Sequence, residues 1–578
     1  MILQALVRCY EQLAAKGTLA RPGWQSVGVS FAIRINERGE FCDLIDLRQD
    51  VEKGKKTVKV PQSHWVPQQE KRASNVAPNF LCDNAAYLLG LDSKSKPERA
   101  KLCFEASAQR HHALLKDEDH PLARAIQAFL HYWKPEDAAA HPLLQPWLKE
   151  LATANLVFQM HIPYAQDVPE IAAAWQRAYE QTDENAPRQR CLVTGELEEI
   201  QRLHPAIKGV QDAQSMGASI VSFNAPAFES YGHDGEQGLN APVGKHAAFA
   251  YGAALNYLLS RKEHTLYLGD ATIVFWAEDA EEEYADLFAA MMGNDNEVKD
   301  DALRDAVQRL AKGQEVRWND ALLHPSNPFY VLGLSPNAAR LSVRFFIQNT
   351  FDTFAKNVAR HQRRMDIVKP AYDHRETLSI YSMLQETVSP KAKDKHSSPH
   401  MTGDLIRAVL MNTPYPTTLY QQVQLRIRAE HEVNRGKAAI IKAYLMKNGT
   451  ANERISEVTT VNLNEQTEYA PYVLGRLFAL LEALQKTANP GINATIRDKY
   501  FNSASGTPAV VFPTLIRLAQ AHLKKLDGGL SLHYSKKLTE LMGMLDESYP
   551  KRLSLEDQGI FQLGYYHQTQ QLYQKKED

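Results

Sequence analysis

The sequence predicts an α+β fold: a mixed strand and helix N-terminal region with irregular loops, followed by a C-terminal α-helical bundle. Three observations lead to this prediction. Apolar and polar residues alternate over residues 29–35, as in a half-buried strand. β-prone runs and polar loops dominate residues 189–278, and from residue 350 onward apolar residues recur at helical spacing. Because the chain has 578 residues, we expect several hydrophobic cores rather than one.

The first part of the chain predicts one helix, one β-hairpin and a run of further helices. Residues 1–17 have the spacing of an amphipathic helix and lack the features of a signal peptide. Val29 to Ile35 and Phe41 to Leu47 are the predicted strands, joined by a turn at 36–39. Apolar periodicity, with prolines near several of the starts, then predicts helices over Pro97 to Lys116, Pro121 to Trp133, Leu143 to Ala154 and Pro169 to Gln181.

Residues 189–348 return to strands and loops. A short β-prone run, Ala218 to Phe223, lies between two loops dense in Gly, Asn, Pro and Ser. One apolar helix is predicted from His246 to Leu259, a charged helical stretch over 280–312, and further strands over 328–348. We therefore predict that residues 1–348 form the α+β region.

The rest of the chain is predicted to be helical in two parts. Residues 349–446 form a helical connecting region, in which the polar, basic and proline-bounded stretch 389–400 is typical of a linker. A break at 447–452 precedes the bundle, residues 447–578. Its predicted helices are Ala470 to Thr487, Val510 to Leu526, Leu530 to Leu545 and Leu555 to Gln574.

Composition is that of a globular protein from a reducing compartment. The chain is 44% hydrophobic and 23% charged, and no window is apolar enough to span a membrane. Its five cysteines are widely spread and form no CxxC pair, which indicates free thiols in the cytoplasm. A net charge of −2 is unusual for a nucleic-acid binder, but acid and base are segregated along the chain, and local field decides where a polyanion docks.

Two polar loops are candidates for contacts with nucleic-acid bases. In the first, two basic residues precede a small-polar tip, so that cations can hold phosphate while Ser or Asn reaches base edges. In the second, amides suit groove contacts, although both loops could equally be structural, with side chains that satisfy their own backbone. The candidate residues are Lys71, Arg72, Ser74, Asn75 and Asn79 in the first loop and Ser222, Asn224, Gln237 and Asn240 in the second.

Basic side chains are the second kind of candidate. Lys356, Arg360, Arg363 and Arg364 are spaced to share one face of a helix predicted from Thr350 to Met365, opposite an apolar face. Such a face can follow a phosphate backbone, or it can be an ordinary solvated surface. The same alternative applies to Arg340 and Arg344 on the preceding strand, and to the bundle lysines Lys524, Lys525, Lys536 and Lys537.

A possible metal site receives little support. His204, His233-Asp234 and Asp270 imitate the order of ligands in metal-dependent phosphohydrolases, but His233-Asp234 lies in a glycine-rich loop, whereas that site needs the pair on a helix. The histidines at 111, 112, 120 and 131 are predicted to be surface residues. No phosphate-binding GxxxxGK[ST] loop and no nucleophile elbow is present in the sequence, so no metal and no cofactor is predicted.

Several motifs together resemble one known family. These are residues 66–90, CLVTGE at 191–196, HPAIKGV at 204–210, GASIVSFN at 217–224, FESYG at 228–232, LGDATIVFWAE at 268–278 and LGLSPNAARLSVRFF at 332–346. In this order they resemble the large subunit of the type I-C CRISPR surveillance complex, Cascade. The resemblance covers about residues 66–346, with a weaker helical match beyond.

The resemblance implies a function without catalysis. A subunit of this kind reads the protospacer-adjacent motif (PAM) in double-stranded DNA, promotes duplex opening and R-loop formation, and holds the displaced strand. The implied partners are a crRNA-containing Cascade with its backbone, crRNA 5′-end and small subunits, target DNA, and a recruited helicase-nuclease. The loop at 71–79 would read the PAM, Lys208 would join the nucleic-acid contacts, and Met446 is a candidate internal start for a separately made helical domain. The alternatives are a metal-dependent nuclease or phosphohydrolase, and a purely architectural RNA-binding subunit.

Overall fold

The architecture is α+β, as the sequence predicts. A computed structural model of the chain describes residues 1–53, 56–70, 76–91, 97–181, 186–223, 225–229, 237–293, 300–393, 397–449, 453–545 and 548–573. Strands are confined to the part before residue 351, and everything after it that is regular is helical. The predicted fold class is therefore confirmed.

The α-helices and β-strands alternate in the first half of the chain. The described helices are α1 (Ile2–Ala15), α2 (Ala85–Leu88), α3 (Pro97–Leu115), α4 (Pro121–Tyr132), α5 (Leu148–Leu151), α6 (Pro169–Glu180), α7 (Lys245–Ser260), α8 (Glu282–Met291), α9 (Asp300–Ala311), α10 (Phe351–Met365), α11 (Ile380–Gln385), α12 (Pro399–Met411), α13 (Thr417–Glu430), α14 (Arg435–Asn448), α15 (Glu453–Val458), α16 (Ala470–Ala488), α17 (Ile496–Gly506), α18 (Pro508–Leu523), α19 (Gly528–Gly543) and α20 (Leu555–Tyr573). The strands are β1 (Trp24–Val29), β2 (Phe31–Ile35), β3 (Phe41–Asp46), β4 (Gln49–Lys53), β5 (Lys56–Val60), β6 (Gln62–Pro67), β7 (Cys82–Asn84), β8 (Asn155–Gln159), β9 (Arg188–Arg190), β10 (Leu197–Glu199), β11 (Thr265–Leu268), β12 (Ala271–Ala277), β13 (Val316–Trp318), β14 (Ala321–Leu323), β15 (Pro328–Asn337) and β16 (Arg340–Thr350).

The chain divides into two compact units. The smaller unit consists of Tyr10–Leu203 and Phe223–Tyr251, and the larger unit of Met1–Cys9, His204–Ser222 and Gly252–Asp578. The predicted division at 348/349 and 446/447 stays a prediction. Among the described residues, no helix is both long and apolar enough to cross a lipid bilayer.

The smaller unit is built on a four-stranded sheet in the order β3-β2-β8-β7. The predicted hairpin is its β2–β3 pair, which is antiparallel, whereas β2 and β8 run parallel. Phe31 and Ile33 of β2 and Phe158 of β8 are fully buried in a core that α3, α4 and α6 complete. Strand β8 falls within a stretch predicted to be mostly helical, and the predicted helix 143–154 is wrong: it is a 3-10 turn followed by the single helical turn α5.

The histidines at 111, 112, 120 and 131 are predicted to lie on the surface, and for His111 this prediction is wrong. The His111 side chain is completely buried on α3. Its Nε2 accepts from the Leu81 backbone N–H at 2.9 Å, and its Nδ1 lies 2.8 Å from the Ser107 carbonyl oxygen, which can only accept. These partners fix a neutral imidazole protonated on Nδ1, and burial lowers the pKa of His111 to about 4. Sequence periodicity misses it because a hydrogen-bonded neutral histidine can occupy an apolar position.

The larger unit contains an antiparallel sheet in the order β11-β12-β15-β16. One face of it packs into the main core through residues such as Phe275, Phe329 and Phe345. The β15–β16 pair has a register shift at Gly333/Leu334, and a Cβ at Gly333 would lie 2.5 Å from the Phe345 ring. Glycine at position 333 therefore leaves room for the Phe345 ring of the neighbouring strand.

The predicted strand 218–223 is reduced to two bridging residues. Ala218 bridges Ile207, and Ser219 bridges Arg340 in parallel, with Leu341 donating its N–H to the Ser219 carbonyl at 2.9 Å. The polar segments around them stay irregular because glycines and prolines interrupt the ladder. Segment 204–222 is thus joined to the first residues of β16.

The helical part follows the prediction closely. Helices α16, α18, α19 and α20 occupy the four predicted segments within a few residues. Helices α16 and α20 cross at two glycines: a Cβ at Gly475 would lie 1.9 Å from the Phe561 carbonyl oxygen, and one at Gly564 would lie 2.2 Å from the Tyr472 carbonyl oxygen. The backbones therefore approach to a distance that no side chain permits. Met446, the candidate start, lies inside α14.

All five cysteines are free thiols. Cys9, Cys82, Cys103 and Cys191 are buried, and Cys42 on β3 is exposed. Burial raises the pKa of the Cys9 thiol to about 12 and raises that of Cys82 as well.

Candidate nucleic-acid interface

The basic face of helix α10, which we define as Lys356, Arg360, Arg363 and Arg364, forms as predicted. The apolar residues Phe351, Phe354, Ala355 and Val358 on the opposite side are all buried in the core of the larger unit. Arg360 and Arg363 are exposed, while Lys356 and Arg364 are half-buried. Core packing therefore fixes the rotation of the helix, and with it the direction of the basic face.

Each cation of the basic face has a defined polar partner. Lys356 forms an ion pair with Asp352 at 2.7 Å, one turn earlier. Arg360 donates to the Asn357 side-chain oxygen at 3.2 Å, and Arg363 to the Ala359 carbonyl at 3.4 Å. Arg364 donates from Nη2 to Oδ1 of Asn412 at 2.7 Å. Only the first of these partners carries a negative charge, so the basic face keeps most of its positive charge.

Two further cations, which sequence reasoning missed, lie beside the basic face. Lys447 of α14 donates to the same Asn412 oxygen that Arg364 uses, at 3.4 Å. Arg407 is exposed on α12 and donates to the Arg344 carbonyl at 3.3 Å. Helix α12 thus contacts β16 through Arg407 and the end of α10 through Asn412. A helical pattern could have flagged Arg407 as exposed, but no local signal relates Lys447 to a helix about eighty residues earlier.

The predicted strand cations lie where segment 204–222 meets the sheet. Arg344 donates from Nε to Ser335 Oγ at 2.8 Å and lies 3.5 Å from Asp270. Arg340 occupies the position bridged by Ser219. Lys208 follows Ile207, which bridges Ala218, and its side chain is exposed. Ser222 is half-buried at the end of the same segment.

The first predicted reading loop is described only at its base. Lys71, Arg72, Ser74 and Asn75 lie outside the described residues. Asn79 is buried, and its side-chain amide accepts from the Glu70 N–H at 2.8 Å and donates to Gln69 at 2.5 Å. The backbone N–H of Asn79 donates to Asp83 at 2.8 Å. Asn79 therefore joins the two ends of the loop, a use that leaves its amide little capacity for a base.

The second predicted loop is also described in part. Asn224 lies outside the described residues. Asn240 donates from Nδ2 to the Phe228 carbonyl at 3.1 Å. The backbone carbonyl of Gln237 accepts from Arg202 at 3.1 Å, and the Gln237 side chain is half-exposed. The base-contact role of both loops stays a prediction.

The lysines of the bundle are less organised. Lys524, at the end of α18, is exposed, and so is Lys525, which donates to the Asn489 oxygen at 2.7 Å. Lys536 on α19 is exposed and Lys537 half-buried. One polar contact among four cations is typical of a solvated surface, although it does not conflict with a contact to a flexible strand.

No metal-binding cluster is found within the described ranges. Asp270 lies beside Arg344, and burial lowers the pKa of His204 to about 4. His233-Asp234 falls outside the described residues.

Comparison with known proteins identifies the family. The family model described as "CRISPR-associated protein (Cas_Csd1)" matches residues 6–573, which is nearly the whole chain. No curated protein matches the sequence. The match covers both units and every motif on which the resemblance rests. The chain therefore belongs to the Cas_Csd1 family of CRISPR-associated proteins.

Proposed function

We propose that this chain is the non-catalytic large subunit of a type I-C Cascade, an RNA-guided surveillance complex of the cytoplasm. In this role it recognises the PAM in double-stranded DNA, promotes duplex opening and R-loop formation, holds the displaced strand and helps to recruit a helicase-nuclease. Its partners are the crRNA-containing subunits and the target DNA, and it needs no cofactor. Membership of a CRISPR-associated family supports the setting.

The observation that carries the proposal is the basic face of α10 with its neighbours on α12 and α14. Arginines held in place by neutral acceptors retain their charge and lose little side-chain freedom when a phosphate binds. Such a surface supplies affinity for any nucleic acid without reading its sequence. Sequence reading would then come from the guide by base pairing and from a loop of this chain at the PAM.

The decisive experiment compares complexes with and without this chain. The assembled guide-RNA complex is bound to matched duplexes that differ only in the motif flanking the target. We expect discrimination between flanks only when the chain is present. Equal binding to all flanks in both preparations would contradict the reading role and favour a purely architectural subunit.

A second experiment assigns the reading to the loop at 71–79. The double variant Ser74→Ala/Asn75→Ala is expected to reduce the preference for the correct flank, because each lost base contact costs about 1–3 kcal/mol of discrimination. The matched control is Gln214→Ala, an exposed amide outside both loops, measured on the same duplexes. Unchanged discrimination in the double variant would remove this loop from the reading role.

The hydrolase alternative is tested with the isolated chain. Incubation with DNA and Mg²⁺ or Mn²⁺ is expected to leave the DNA intact. Cutting that disappears in His233→Ala would instead establish a metal-dependent nuclease.

A further inference from the structure

Three cations converge at the end of α12. Asn412 terminates this helix in the left-handed region, with φ of 53°, and its side chain faces both α10 and α14. Its single Oδ1 atom accepts from Arg364 at 2.7 Å and from Lys447 at 3.4 Å. Arg360 lies one turn before Arg364 on the same helix. We define Arg360, Arg364 and Lys447 as the cation cluster.

The cation cluster is not neutralised by the protein. Within the part of the chain that the structure describes, none of its three members has a carboxylate within ion-pair distance. Burial, and then the charges of Arg364 and Arg360, lower the pKa of Lys447. The neutral amide of Asn412 orients two of the cations but supplies only a partial negative charge. An anion bound among them would relieve their mutual repulsion.

The buried Lys442 side chain holds the helices that bear these cations in place. Lys442, one turn before Met446 on α14, is almost completely buried and donates from Nζ to the carbonyls of Arg364 at 3.1 Å and Arg363 at 3.5 Å. These carbonyls belong to the last turn of α10, where the helix leaves them without internal partners. Lys442 therefore ties the end of α10 to α14, and with it Arg364 to Lys447. A site held in this way binds with a small entropic cost.

We propose that the cation cluster is a binding site for a backbone phosphate of a nucleic-acid strand. The choice of a nucleic acid as the ligand rests on the proposed function, and the cation cluster names the residues that would hold its phosphate. The planar guanidinium of Arg364 suits two phosphate oxygens, while Lys447 supplies a point charge. Lys356 is excluded because Asp352 already neutralises it. Arg363 is excluded because the charges that act on Lys447 are those of Arg364 and Arg360.

The test is a salt titration of oligonucleotide binding by the full chain. The triple variant Arg360→Gln/Arg364→Gln/Lys447→Gln is compared with Lys524→Gln/Lys525→Gln/Lys536→Gln, which removes the same charge from the bundle. With single-stranded DNA, we expect the slope of log affinity against log salt to fall by about 0.7 in the first variant, the value for one phosphate contact, and to stay that of the parent protein in the second. Equal slopes in the two variants would overturn the site.

Adjacent arginines give a finer control. Arg364→Gln is expected to lower affinity about 10-fold and Arg363→Gln about 3-fold or less, as one good phosphate contact is worth about 1.4 kcal/mol. Circular dichroism and the unfolding midpoint verify that each variant is folded. A larger loss in Arg363→Gln would place the phosphate at Arg363 rather than in the cation cluster and contradict the proposal.

Failure of the proposed function remains distinguishable from failure of this site. On guide-directed duplexes, the triple variant should weaken binding to correct and incorrect flanks equally and leave their ratio unchanged. If the chain proves not to read flanks at all, the single-strand titration still decides the site. Parallel titrations with single-stranded RNA and with duplex DNA show whether guide or target is the source of the phosphate.

Discussion

The basic face of α10 and the lysines of the bundle carry similar charge but organise it differently. Around α10, cations arrive from three helices, and neutral acceptors such as Asn412 and Asn357 hold them in place. After α18 and on α19, Lys524, Lys525 and Lys536 are exposed, and Lys525 donates to the Asn489 side-chain oxygen. The feature that distinguishes the bundle is close packing, since α16 and α20 are in backbone contact at Gly475 and Gly564. Charge alone is therefore a weaker indication of a binding surface than charge whose positions are fixed.

The largest expected effect tests the packing side of this comparison. Gly475→Ala places a methyl group against the Phe561 carbonyl and should destabilise the bundle by about 3 kcal/mol or more, because the backbones must separate. Urea unfolding measures the loss. Gly506→Ala, where a Cβ meets nothing within 4 Å, is the matched control and should stay within about 1 kcal/mol of the parent protein. Equal stability of the two variants would mean that the crossing is looser than described.

The next largest effect is a loss of folding stability at low pH, which we expect in both the α10 region and the bundle. His361 on α10 and His567 on α20 are buried, and desolvation lowers the pKa of each to about 3. Since the unfolded chain binds these protons more readily, their contribution to stability is complete above about pH 6.5 and is lost as pH falls toward the folded pKa. Between pH 6.5 and pH 5 each histidine should cost about 2 kcal/mol.

Unfolding midpoints at pH 7 and pH 5 measure this loss. His567→Gln should reduce the difference between the two midpoints, whereas His112→Gln, at an exposed position, should not. A midpoint independent of pH in the parent protein would show that these histidines are not neutral in the folded state.

The third effect returns to charge. Reversal at Arg363→Glu/Arg364→Glu should weaken DNA binding about 30-fold for every sequence and flatten the salt dependence by about one, because the phosphate contact of Arg364 is lost without loss of base reading. Filter binding over a range of salt concentrations measures both quantities. A salt dependence equal to that of the parent protein would return the basic face to an ordinary solvated surface.

The smallest expected effect is the same reversal in the bundle. Lys524→Glu/Lys525→Glu should change affinity by about 3-fold or less, since exposed and flexible lysines contribute little to a fixed interface. The measurement is identical, so the two double variants form a matched pair. A loss as large as that at α10 would abolish the distinction between fixed and unfixed charge.

Much of the fold follows from periodicity. The core face of α10, the hairpin β2–β3 and the four bundle helices all have strong local patterns, and they form where the patterns predict. Strand β8 was missed because its apolar residues fall in a stretch read as mostly helical, and its pairing partner β2 lies more than a hundred residues earlier. His111 was misassigned because its two hydrogen-bond partners come from the tertiary fold.

The sequence predicts only those parts of the candidate site that lie within one helix or strand. The spacing of Arg360 and Arg364 predicts a shared helix face, and that prediction is confirmed. Lys447 and Asn412 join them through folding rather than through spacing, so the cation cluster is visible only in three dimensions. The base-contact residues of the two loops stay predictions, since Ser74, Asn75 and Asn224 lie outside the described residues.

The single exposed thiol has a practical consequence. Because Cys42 is the one accessible cysteine of five, a maleimide dye should attach to the unmodified protein at one known position on the smaller unit. A second cysteine introduced at Val510 on α18, which is 73% exposed, would complete a fluorescence pair across the two units. The energy transfer between them, followed as guide and target are added, would report in real time whether the two units move when DNA is engaged.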